Sequence, residues 1–194
     1  IVPAALAAGE LWNVDGARFL RSVALGYDVG TRITSTLGAL KYQMETHRST
    51  HSIASDFGAC AAAGCATGLD PHQMRWLLDY AAQQASGIVA WQRDTEHVEK
   101  SLVFGGFPAR NGVSAAMLIK LGGSGVEDVM TGTDNFLLAF GAKNPLDALT
   151  DKLGERFEVT RTSIKKWTVG SPIQAVDRKS TRLNSSHGYI SYAV

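Results

Sequence analysis

The chain has 194 residues, enough for one domain or slightly more, and 45% of them are hydrophobic, so it can bury a real core and wholesale disorder is excluded. Nineteen basic side chains face 18 acidic ones, for a formal net charge of +1, and no basic block stands out, which argues against nucleic acid as a partner because phosphate binding needs clustered Lys and Arg. No apolar run is read as approaching the length of a membrane span, so no membrane partner is expected.

Pro3 at a first-turn position predicts a short helix ending near Trp12. Asp15 is an N-cap for a longer helix over 16–38, with Phe19, Leu20, Val23, Tyr27 and Ile33 expected near one face. Gly26 and Gly30 lie four apart within it. An interior glycine costs about 1 kcal/mol against alanine, so the pair marks close contact with another helix. The next helix is predicted over 52–67, where Gly58, Ala62 and Ala66 form a small-residue stripe. Gly68 predicts its left-handed C-cap, Asp70 the next N-cap and Pro71 the first position of a helix that buries Met74, Leu77, Leu78 and Ala81 and ends at Gly87. A loop with Trp91, Asp94 and His97 follows. Pro108 and Asn111 then lie near the start of a helix that ends at Gly122–Gly123, and short helical pieces follow around 135–140 and 145–153. The alternation and β-branched residues of RFEVTRTSIKKWTV, 156–169, predict a strand.

The fold class is therefore mainly α, a helical body over 1–153 with the start of something else over 154–176. The chain begins inside an apolar helical pattern without an initiator Met, and residues 177–194, DRKSTRLNSSHGYISYAV, show neither period and resemble translated read-through of a sequencing adapter. The chain is accordingly expected to be a fragment with a tail that carries no function.

Few residues suggest chemistry on their own. Cys60 and Cys65 are five apart, which on a helix points them about 140° from each other, so they cannot bridge there and read as small buried hydrophobes; a reducing cytoplasm fits. His47 and His51 are four apart, but Arg48 stands where a zinc protease places Glu and no third ligand is suitably spaced, so both read as surface or loop histidines and no metal is expected. No G-x-S-x-G elbow or phosphate loop is present, so neither NAD nor ATP is expected. Lys100, four residues after Glu96 and ahead of Gly105–Gly106, either holds a carboxylate near a helix start or is a solvated lysine paired with Glu96; spacing alone favours the second. Strand alternation would send Lys165 and Lys166 to opposite faces, so at most one enters a site, and both also suit an edge strand that resists aggregation.

Taken together, PAALAAGELWNVDGARFLRSVALGYDVGTRI, HSIASDFGACAAAGCATGLD, QQASGIVAWQ, EKSLVFGGFPARNGVSAAMLIKLGGSG and SIKKWTVGSPIQA follow the order and spacing of the MmgE/PrpD family, and the chain resembles that family over essentially all of 1–175. The family includes 2-methylcitrate dehydratase, cis-aconitate decarboxylase and iminodisuccinate epimerase. The resemblance implies an all-helical domain, partial here, followed by a smaller α+β lid domain that begins at 154–176. It also implies a homodimer, with the active site between the two domains.

By position, His51 resembles the family histidine before the Gly/Ala-rich helix, with one extra residue between it and Gly58. Lys100 resembles the lysine before the A-x-N-G-V helix. Lys165 or Lys166 resembles the lysine opening the lid's K-x-Y-P segment, although KKWTVGSPIQA is shorter and lacks the histidine usually found a few residues on. The implied activity is that of a lyase or isomerase acting on a small di- or tricarboxylate, with dehydration as the default and no metal or organic cofactor. His51 would be the acid/base, and Lys100 with Lys165 or Lys166 would hold carboxylates. The fragment alone is expected to have little activity. The alternative is a non-catalytic helical interaction protein that keeps the scaffold.

Overall fold

In the computed structural model, which describes residues 1–96, 98–144 and 146–167, one helix of very small side chains has other helices packed around it. The helices are α1 (Val2–Leu11), α2 (Gly16–Leu37), α3 (Ala39–Thr46), α4 (Thr50–Thr67), α5 (Pro71–Gln84), α6 (Glu99–Ser101), α7 (Phe107–Lys120), α8 (Phe136–Phe140) and α9 (Asp147–Thr150). Helix α4 is the centre. It packs against α1, α2, α3, α5 and α7, and 14 of its 18 residues are buried. A helix surrounded on all sides needs no polar face, and Gly/Ala/Cys side chains let its neighbours come close.

The chain divides into two compact units, 1–160 and 161–194, with residues 161–167 of the second described. The proposed adapter-like tail, 177–194, lies outside the described residues, as does His97.

The punctuation residues act as expected. Asp15 accepts a hydrogen bond from the Arg18 amide, Gly68 takes the left-handed conformation at φ +75°, and Asp70 and Gln73 form a reciprocal capping box. Helix α4 starts at Thr50, two residues earlier than predicted. Ser49 Oγ accepts from the Ser52 amide, and Gln43 Oε1, reaching over from α3, accepts from both the amide and the hydroxyl of Thr50. Helix α3 itself carries no strong period and was not anticipated.

The buried face of α2 differs from expectation. Ile33 is buried, but Leu20 is 67% exposed, and the face that turns inward carries Ser22, Gly26, Gly30, Ile33 and Leu37. The reason is the glycine pair. A methyl group on Gly30 would sit 2.4 Å from the Ala54 carbonyl oxygen, and one on Gly26 would sit 2.6 Å from that of Gly58. Backbone contact with α4 decides the orientation, and the larger apolar side chains are left at the flanks.

Gly112 makes the same kind of contact from α7: a Cβ there would lie 2.5 Å from the Ala59 carbonyl carbon and 2.7 Å from the Cys60 nitrogen. Backbone cannot yield cheaply, so Gly112→Ala is expected to cost ~1–3 kcal/mol, and the melting temperature falls by ~2–4 °C for each kcal/mol in a chain of this size. Gly16→Ala, where nothing lies within 4 Å, serves as the control. Equal melting temperatures for the two variants by circular dichroism would contradict this packing.

The strand predicted over 156–169 does not form within 156–167. Residues Glu158–Arg161 make a 3-10 turn, and 168–169 lie outside the described residues. A strand needs a partner, and here the backbone is bonded to α2 instead. The Glu158 amide donates to Asp28 Oδ1 at 3.0 Å, while the Arg32 guanidinium donates to Asp28 Oδ2 at 2.9 Å and to the carbonyls of Leu149, Asp151 and Arg156. Both Asp28 and Arg32 are buried.

Helix α6, a π-turn over Leu102–Gly106 and α7 run on as one helix, Glu99–Lys120. At 22 residues and a mean hydropathy of 1.2 in its most apolar window, it is long and apolar enough to cross a membrane by length and composition. That corrects the expectation that no run reaches such a length, because the helix continues through Pro108. Its inner residues Ala115, Ala116 and Ile119 are buried in the same core as Phe57 and Cys60 of α4. The widened turn follows from Pro108, which has no N–H for the carbonyl four residues back and would clash with it in an α-helix. The Phe107 amide instead bonds the Leu102 carbonyl, five residues back.

Candidate active site

The N-terminal end of α4 is pinned to the segment after α5 by main-chain bonds. The Ser49 amide donates to the Gly87 carbonyl and the Val89 amide to that of His47, both at 3.0 Å, around an isolated antiparallel bridge between Arg48 and Ile88. This sets the 3-10 turn Val89–Arg93, with Trp91 in it, against the first turn of α4.

His51 lies in that first turn. Its ring stacks on Phe104 of the π-turn, with centroids 4.7 Å apart and planes at 14°, and meets Trp91 edge-on at 6.2 Å. Phe104 and Trp91 also touch, at 4.7 Å and 79°. The imidazole thus has two aromatic walls while its edge stays open to solvent. Desolvation by these walls lowers the His51 pKa from its ordinary value, and a helix N-terminus also disfavours an added positive charge. His51 is therefore neutral at pH 7 and able to accept a proton. His47 caps α3 in a left-handed conformation, so the two histidines do not share a helix face.

Lys100 is half-buried, one helical turn before Phe104, on the element packed against the Trp91 turn. It makes no ion pair with Glu96 or with any other described residue, so the surface-pair reading favoured by spacing is not what forms. His51 and Lys100 are brought to the same cluster of elements through Phe104. Trp91, read from the sequence only as a loop residue, contributes a buried indole N–H with no acceptor among the described residues, a second unmatched donor in this cluster. Lys165 and Lys166 belong to the second unit. Both are exposed, and the Lys166 ammonium lies 5.0 Å over the Trp167 ring.

A concavity of about 510 Å³ is lined by Asp15, Arg18, Arg21, Cys65 and Gly68 at the far end of α4, about 20 Å along the helix from His51 at 1.5 Å per residue. Arg18 is already engaged there, with Nε donating to the Cys65 carbonyl. Closer to the histidine is a smaller cavity of about 110 Å³ bounded by Ser52, Asp56, Val103, Phe107 and Asn111.

Asp56 was not singled out in the sequence, where it reads as an ordinary polar position. It is 2% exposed and neither carboxyl oxygen completes a hydrogen bond. Burial raises its pKa from 3.8 to about 7, against a smaller opposing pull from the nearby Asn111 amide. Cys60, one turn on, is pushed well above the ordinary thiol range by burial and then by the Asp56 charge, so it stays a thiol.

Because the folded carboxyl holds its proton up to about pH 7 while the unfolded one releases it near 3.8, stability is fully present below about pH 4 and declines as pH rises through 7. The loss is of the order of ~2–4 kcal/mol. Asp56→Asn should remove that decline. Urea titrations at pH 5 and pH 8 are expected to show a large difference for the wild type and a much smaller one for the variant; the same difference in both would contradict the assignment.

Among the described residues, no three His, Cys, Asp or Glu side chains gather as metal ligands. No curated protein matches the chain. The family profile of the MmgE/PrpD N-terminal domain matches residues 1–149, in agreement with the helical architecture. The helical body built around α4 is thus an MmgE/PrpD N-terminal domain, and the chain belongs to the MmgE/PrpD family.

Proposed function

We propose that the protein is a lyase or isomerase that moves a proton next to a carboxylate of a small di- or tricarboxylate, with dehydration of a 2-methylcitrate-like substrate as the default reaction. The observation that carries this reading is a neutral, aromatic-walled His51 stacked on Phe104, one helical turn along from a Lys100 that pairs with no described residue. His51 takes the proton from the carbon beside the carboxylate. The electron pair left behind spreads into that carboxylate, where a fixed cation steadies it. In the dehydration, the protonated His51 hands the proton it has taken to the hydroxyl on the adjacent carbon, which leaves as water while the double bond forms. Lys100 supplies the cation, and Lys165 or Lys166 is proposed to hold a second carboxylate. A homodimer in the cytoplasm is part of the same reading, as is a lid domain beginning near 154.

The test follows proton exchange on a panel of di- and tricarboxylates by NMR in deuterated buffer, with the whole reading frame that contains this chain. Exchange into one substrate, lost in both His51→Ala and Lys100→Ala, supports the proposal. Exchange that persists in both variants overturns the site. If no carboxylate exchanges, the scaffold is better read as a non-catalytic interaction protein.

A further inference from the structure

The cavity beside Asp56 has no part in the reaction proposed for His51, and its lining has a chemistry of its own. It is bounded by Ser52 and Asp56 of α4, Gln84, Ser86 and Gly87 at the end of α5 and in the turn after it, and Val103, Phe107, Pro108 and Asn111 of the long helix. Ser86 is exposed, so the cavity reaches solvent there.

What these groups still have to offer follows from what they already do. Ser52 Oγ donates its proton to Ser49 Oγ, and the Gln84 amide nitrogen donates to the Tyr80 carbonyl. Each is therefore left with acceptor oxygen. Asn111 Oδ1 accepts from the Arg110 guanidinium, leaving its amide nitrogen as the donor that approaches Asp56. Both Asp56 oxygens remain without a completed hydrogen bond.

A buried carboxylate among acceptor oxygens, with no basic side chain among the described residues completing a contact to it, lacks its electrostatic complement. One carboxylate calls for one positive charge, and a divalent ion would need more ligands of that kind. At about 110 Å³ the cavity has room for a compact ion or group with a few waters, each needing roughly 30 Å³.

We propose that this cavity binds a small singly charged cation, an alkali ion or a primary ammonium group, seated against the Asp56 carboxylate. Proton and cation compete for the same oxygens, so the apparent affinity rises about tenfold per pH unit until Asp56 has lost its proton, then levels off. The other groups facing Asp56 do not change charge in this range. From α5 and its turn they are Gln84 and Ser86, from the long helix Asn111, and from α4 the thiol Cys60. The proposal does not depend on the His51 reading and stands or falls separately.

The experiment measures the melting temperature of the whole chain in potassium chloride and in methylammonium chloride, against tetramethylammonium chloride at the same ionic strength. Titrations are run at pH 6 and pH 8. A saturable rise of several degrees over tetramethylammonium is expected, half-saturating at markedly lower concentration at pH 8 and absent in Asp56→Asn. A response to potassium alone identifies a free-ion site, and a response to methylammonium alone identifies the ammonium group of a larger ligand. Either supports the proposal. No rise over tetramethylammonium, or a rise retained in Asp56→Asn, overturns it. Should that variant fail to fold, Gln84→Met keeps the carboxylate and removes one acceptor oxygen. It is expected to weaken the apparent affinity roughly tenfold, and unchanged affinity there overturns the proposal equally.

Discussion

Replacing Arg32 with methionine is expected to lower stability by about 3–5 kcal/mol, the usual cost of stripping one partner from a buried ion pair. In a chain of this size that moves the melting temperature by roughly 6–20 °C. The loss has two sources. Asp28, 4% exposed, keeps its charge with no cation beside it, and three carbonyls, those of Leu149, Asp151 and Arg156, lose their donor. The double variant Asp28→Asn/Arg32→Met separates them, since it removes the orphaned charge, keeps an oxygen for the Glu158 amide and leaves the carbonyls orphaned. It should therefore recover only part of the loss. A single variant within about 0.5 kcal/mol of wild type in urea titration, the range of ordinary surface changes, would mean that the clamp contributes little in solution.

The other large effect is on turnover. Lys100→Met, which keeps an unbranched side chain only one atom shorter and removes its charge, should lower kcat/KM by about 10²–10³-fold on the carboxylate that the exchange panel identifies. His51→Ala should lower kcat by about 10²–10⁴-fold, the range for a positioned acid/base. The two differ in how they fail. On the proposed reading Lys100 holds the carboxylate before and during proton transfer, so its loss should raise KM as well, whereas loss of His51 should fall mainly on kcat. The His51 pKa is lowered by burial, so the rising limb of the wild-type pH profile should lie below 6.5, the ordinary histidine value. A limb centred above that value would place the working base elsewhere.

What could be read from the residues was mostly local. Asp15, Gly68, Asp70 and Pro71 each impose a conformation on their own backbone, and each appears where expected. Gly26 and Gly30 announced a close approach, though not that it would override the larger apolar face of α2. The alternation in 156–167 misled because a period of two shows only what a segment would look like as a strand, not whether it has a partner, and Asp28 and Arg32 hold that backbone first. Helix α3 is not legible in the sequence because its period is weak and its retention depends on Gln43 reaching across to Thr50. The candidate site was legible in His51 and Lys100 only through the family resemblance. Trp91, Phe104 and Asp56 owe their standing to neighbours 13 or more residues away in the chain, which no local pattern encodes.

The widened turn at Leu102–Gly106 makes the chain between Lys100 and Asn111 work like a gear of fixed tooth count. Removing one residue from it would swing everything upstream through about 100° in azimuth, turning Lys100 to another side of the helix while leaving the amide of Asn111 in place. It would also bring back the collision at Pro108. Length there is thus held more tightly than identity, and homologous chains should tolerate substitutions between those two positions far better than a single insertion or deletion.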